Sequence, residues 1–110
     1  MARHTETATA DGRTVIYRVY APRNGQETRA TIVAQGTFGG GTVTIQVSFD
    51  EGTTWINAKD QAGNDITFTQ DGFINFDLPT SSPIDNTPQV AANLSGSTSP
   101  SLTYLVYDRR

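Results

Sequence analysis

Between Thr42 and Phe49 the chain alternates without a break: Val43, Ile45, Val47 and Phe49 fall on one side of an extended backbone, and Thr42, Thr44, Gln46 and Ser48 on the other. A period of two marks a strand with one buried face. This segment therefore predicts a strand with an apolar core side and a second side that is wet or lies at an interface. Arg13 to Tyr20 and Glu27 to Gln35 read as two more strands around Asn24-Gly25. A two-residue type I′ turn there would set Val19 opposite Ala30, Tyr17 opposite Ile32 and Val15 opposite Ala34, with one face apolar throughout. Pro22 argues against a regular ladder beside that turn, because it removes a donor. Ile66 to Thr69 and Phe73 to Leu78 form a further pair around Gln70-Asp71-Gly72. A three-residue loop sets Phe68 across from Ile74 and Ile66 across from Phe76, which keeps the apolar residues together. Val90, Ala92 and Leu94 alternate with polar neighbours. Leu102, Tyr104 and Val106 on one face, with Leu105 and Tyr107 on the other, predict a last strand that is central or meets a partner.

The punctuation between these runs is Gly and Pro. Gly36-Thr37-Phe38-Gly39-Gly40-Gly41 cannot be helix and must bend or bulge. Pro79 to Asn86, with two prolines and two serines, reads as a crossing from one sheet to another. Met1 to Ala10 offers almost nothing to bury, so residues 1–12 are expected to form a flexible N-terminal arm and residues 13–110 the domain. Short strands at intervals of roughly ten residues, with no credible helix, predict an all-β fold: a single-domain antiparallel β-sandwich or jelly roll of about seven or eight strands.

Composition sharpens this picture. The chain has 110 residues, enough for one domain, and 17% of them are charged, below the usual ~25%. Seventeen threonines make the polar surface largely hydroxyl and amide. A core of this size needs no metal or disulfide, and there is no cysteine to suggest an oxidising compartment. No apolar run approaches the roughly 18 residues of a membrane span, and the first twenty residues lack a signal-peptide core, so a soluble, cytosolically made protein is expected, with no membrane partner. Eight basic residues against eleven acidic ones, with a single Lys, provide no stripe for phosphates, so nucleic acid is not an expected partner.

Candidate chemistry is sparse. The only histidine, His4, lies in the predicted arm, which leaves no base for a nucleophile, and a zinc site lacks ligands. Asp60, Asn64 and Asp65 lie in a polar loop whose spacing does not match a calcium-binding EF-hand. Asp50, Glu51, Asp71 and Asp77 could in principle cleave glycosides as a carboxylate pair, but Asp50 and Asp71 are accounted for by turns. The glycine run lacks the Lys and helix of a phosphate loop. The expectation is thus no enzyme, no catalytic residue, no metal and no cofactor. Ser48-Phe49-Asp50-Glu51-Gly52-Thr53-Thr54-Trp55 resembles the Asp-box hairpin of sialidase propellers. In that motif a carboxylate and hydroxyls take turn amides, Gly adopts positive φ and the indole packs below. Ser48, Asp50, Gly52, Thr54 and Trp55 are therefore candidate turn residues, with Val47 opposite Trp55 and the indole as a core plug. A propeller needs several boxes and far more chain. For contact with another chain the candidates are Phe38, which its glycine neighbours cannot easily cover, Tyr104 and Tyr107 on the two faces of the last strand, and the terminal Arg109 and Arg110.

Gly36 to Thr44, running into Gln46-Val47-Ser48 and Asp50 to Trp55, resembles a pattern in small virion structural proteins of tailed bacteriophages, head decoration (cement) proteins among them. Val90 to Gly96 followed by Ser101-Leu102-Thr103 is similar to the strand, turn and strand that often close such chains. The resemblance implies a non-catalytic β-sandwich, often a homotrimer, that sits on the capsid surface of the virion and binds the major capsid protein or another virion protein. A tail, neck or fibre component is the nearest alternative. A carbohydrate-binding module, suggested by Trp55 and the tyrosines, is an alternative of another class.

Overall fold

Each alternating run finds its buried side in one of two stacked antiparallel sheets. The computed structural model describes residues 3–18, 28–48, 52–60, 62–78 and 89–108. Among these residues there is no helix, and the strands are β1 (Arg3–Ala8), β2 (Gly12–Arg18), β3 (Thr28–Thr37), β4 (Thr42–Ser48), β5 (Ile56–Asn57), β6 (Thr67–Phe68), β7 (Gly72–Leu78), β8 (Gln89–Ser95) and β9 (Ser101–Asp108). One sheet has the order β1-β9-β3-β7; the other has β2-β8-β4-β5, with β6 also on β4. We call them sheets A and B.

β5 and β6 are two ends of a single interrupted edge strand. Val47 pairs with Ile56 at one end of β4 and Val43 with Phe68 at the other. Between them the Ile45 amide donates to the Ile66 carbonyl and the Ile45 carbonyl accepts from the Ala58 amide, both at 2.9 Å. Between these two stretches a small loop is closed by the Lys59–Asp65 bridge. Counted this way, the pairs β1–β9, β2–β8, β3–β7 and β4–β5/β6 nest inside one another. One long antiparallel hairpin, rolled so that neighbouring turns of the roll also pair, is a jelly roll. The expected fold class holds.

The core lies between the sheets. Ile32 and Ala34 of β3 and Leu102, Tyr104 and Val106 of β9 face Val43, Ile45 and Val47 of β4 and Val90, Ala92 and Leu94 of β8, all nearly inaccessible. β2 carries a bulge between Val15 and Tyr17. The extra residue lets both Ile16 and Tyr17 turn inward, and both are buried. β9 is central in sheet A, as its two-sided apolarity predicts.

Four expectations need correction. β2 and β3 do not form a hairpin: Val15 pairs with Ala91 and Tyr17 with Val90 in sheet B, whereas Ile32 and Ala34 lie in sheet A. Val19 and the Asn24-Gly25 turn lie outside the described residues. Likewise Phe68 pairs with Val43, while Ile74 and Phe76 pair with Ile32 and Ala30. In both cases the strands expected side by side belong to different sheets, a distinction that alternation alone cannot make. The predicted arm contributes a strand: Arg3 to Ala8 pair with Tyr107 to Leu102 at the edge of sheet A. Only Ala8 of Thr5–Ala8 is buried, so this strand is held chiefly by main-chain hydrogen bonds, which its side chains do not advertise. Finally, Val47 pairs with Ile56 and not Trp55. A one-residue slip reverses the faces, and Trp55 consequently lies on the outer side of sheet B. The strands flanking Pro79 to Asn86 belong to different sheets, as a crossing requires.

Candidate interaction surfaces

The outer face of sheet B carries a polar ladder that crosses its strands. Arg13 on β2 reaches over β8, where Ala91 is fully buried, and its Nε donates to Gln46 Oε1 on β4 at 2.9 Å. Gln46 Nε2 donates to Asn57 Oδ1 at 3.0 Å, and Asn57 Nδ2 to Asp65 Oδ2 at 3.2 Å. Lys59 completes the row with a salt bridge to Asp65 and holds that carboxyl below the usual range. The Arg13 guanidinium stands over the Trp55 ring, 5.0 Å from its centroid. The indole is half-buried, and its Nε1 donates to the Gly52 carbonyl at 3.1 Å. The Gly52 amide in turn donates to Ser48 Oγ at 2.8 Å, with Gly52 at φ 92°. The box-like turn thus keeps its serine and glycine roles, but it displays the indole on the outer side of sheet B and does not plug the core with it.

The outer face of sheet A is different. Register places Thr5, Leu105, Val33 and Phe73 in one row across its four strands. Leu105 and Val33 are half-covered, and Phe73 is 71% exposed. In the adjoining row the Thr31 hydroxyl donates to Asn75 Oδ1 at 2.9 Å, beside Tyr107.

At one end of the sandwich four turns converge and are fastened to each other. Asp11 accepts from the hydroxyl and amide of Ser97, which draw its pKa down. The Thr98 amide donates to the Gly39 carbonyl at 2.9 Å, and the Gly36 amide to Asp71 Oδ1 at 2.9 Å. An open cleft of about 560 Å³ lies between the glycine loop and the turn at Thr69 to Asp71.

The structure separates the residues singled out by the sequence. Phe38 lines that cleft but is buried in the core cluster. The loop closes over it through the Gly41 amide on the Phe38 carbonyl at 3.0 Å and through the docked Thr98, so its glycine neighbours do not leave it bare. Tyr104 is buried, with its hydroxyl unpartnered. Tyr107 is half-buried on the outer face of sheet A, and Thr54 is exposed. Asp50, Arg109 and Arg110 lie outside the described residues. Asp60 turns inward, its Oδ1 accepting from the amides of Ala62 and Asn64 at 2.9 Å each. The polar ladder and the exposed Phe73 were not singled out by the sequence: alternation marks Gln46 and Asn75 as outward-facing, but only the strand order reveals their neighbours. No protein-family profile and no curated protein matches this chain.

Proposed function

We propose that this chain is a non-enzymatic virion structural protein, a capsid decoration protein that binds neighbouring capsomers and stabilises the head. The observation that carries the reading is the pre-assembled polar ladder Arg13–Gln46–Asn57–Asp65–Lys59 on a rigid sheet. Side chains already held by their neighbours lose little freedom on docking. Amide and hydroxyl groups also suit wet interfaces, where water bridges the partners. Many symmetric copies let modest contacts act together. The jelly roll supports the reading by analogy alone, because viral shells and sugar-binding domains both use it. For the sugar-binding alternative, the ring of Trp55 is the natural platform, and the Arg13 guanidinium stands where a sugar would stack.

The test is co-sedimentation of the purified chain with empty heads of the encoding phage that lack it. Saturable pelleting and a raised melting temperature of the heads are expected. Binding to a glycan panel with no binding to heads would replace this reading by the sugar module. Electron microscopy of the native particle that located the chain on the tail, neck or fibre would replace it by that alternative.

A further inference from the structure

The two cations of the polar ladder are not alike. Lys59 is matched by Asp65, whereas among the described residues no carboxylate of this chain pairs with Arg13. Arg13 is exposed, and its one hydrogen bond among those residues is from Nε to Gln46 Oε1. Its Nη nitrogens, both of them donors, have no partner there. The guanidinium is nevertheless held in place. It stands over the Trp55 ring, and the indole is itself tied to the Gly52 carbonyl. Gln46 is fixed in turn by Asn57. The side chain crosses β8 beside Ala91, which pairs with Val15 and Gln46 and so faces outward with them, yet is fully buried. Arg13 is thus clamped through Nε and the face of its guanidinium, and open at its Nη edge.

Resting on the reading of this face as the docking surface of a virion protein, we propose that the Nη edge of Arg13 takes the carboxylate of a Glu or Asp side chain on the partner protein, as a bidentate pair. Charge and shape select the occupant. A cation without a counter-charge requires an anion, and the planar fork of a guanidinium matches the two oxygens of a carboxylate. A phosphate chain would need further free cations, and the other one on the ladder is already neutralised by Asp65. A small acid or an acidic sugar needs a concave site, whereas the ladder runs across an open sheet and the guanidinium already covers the Trp55 ring. Ion pairs on an open surface contribute little, because two long side chains must be immobilised in water. Here the arginine is immobilised beforehand, and a partner laid over the ladder excludes the water that would weaken the attraction.

Two measurements test the pair separately from the docking reading. In the first, the full chain and its variants are co-sedimented with heads that lack it. Arg13→Gln is expected to raise the apparent dissociation constant about tenfold or more, and Arg13→Lys, which keeps the charge and loses the fork, to recover little of that loss. Both variants should keep the circular dichroism spectrum of the parent, since the residue is exposed. In the second, nuclear magnetic resonance follows the Trp55 indole N–H of the full chain as the peptide acetyl-Gly-Glu-Gly-amide is added to about 10 mM. A saturable shift is expected, absent with the glutamine analogue of the peptide and absent in Arg13→Gln. The proposal is overturned if Arg13→Gln pellets as tightly as the parent, if Arg13→Lys restores binding in full, or if the glutamate peptide moves no resonance. It is also overturned if sialyllactose acts at lower concentration than the peptide, which would assign the carboxylate to a glycan. If the parent fails to bind heads, the docking reading falls and the peptide titration alone decides the arginine pair.

Discussion

The phenol of Tyr104 sits between the sheets with no partner for its hydroxyl. Desolvation pushes its pKa above the ordinary 10.0. As pH rises, the unfolded phenol therefore ionises before the folded one, the folded state holds more protons, and stability is complete below the unfolded value and lost above it. Tyr104→Phe removes both the stranded hydroxyl and this linkage. The variant should equal or exceed the parent by up to about 1 kcal/mol at neutral pH, and its stability should fall less steeply above about pH 10. Urea melts at the two pH values check both points, and a loss of more than about 2 kcal/mol would mean that the hydroxyl has a partner in solution. The sequence identified Tyr104 and Tyr107 as residues on opposite faces of one strand, and that was correct. Which face was the core depended on where β9 lay between its neighbours, and no local pattern contains that. Trp55 teaches the same lesson more sharply. Its motif was legible, yet the depth of its indole turned on whether Val47 met residue 55 or 56.

At the scale of elements, strands were easier to read than their pairings. The run from Thr42 to Ser48 and the last strand came out with the faces their alternation dictates. The β2–β3 pairing and the Phe68–Ile74 pair do not form, because the jelly roll sends β2 and β3, and likewise β6 and β7, to opposite sheets. β1 was hidden for another reason: a strand stabilised through its backbone leaves little trace in the side chains. The glycine run, legible only as a bend, does its work by close approach. Gly39 has φ 61°, and a Cβ there would overlap the Thr98 carbonyl oxygen. Gly39→Ala must adopt a left-handed conformation and push the β8–β9 turn away. The expected cost is about 2 kcal/mol or more, read as a lower urea midpoint, with faster amide exchange at Thr98, whose partner is the Gly39 carbonyl.

For the whole molecule, the strand order governs how it comes together. Apart from β4 with β5/β6, the ladders join segments remote in the sequence, a topology that folds in milliseconds to seconds instead of microseconds. β8 lies between β2 and β4, and β9 between β1 and β3. A chain cut after Pro100 therefore loses the middle of sheet A and not a trimming from its rim. It should show no cooperative thermal transition and an unfolded circular dichroism spectrum; a cooperative melt would mean that β1 and β3 can close on each other. During translation the same order imposes a wait. Everything through β7 can leave the ribosome with no neighbour to complete either layer, so the nascent polypeptide stays open to chaperones and proteases until its closing segments emerge, and commitment to the native state comes as one late event.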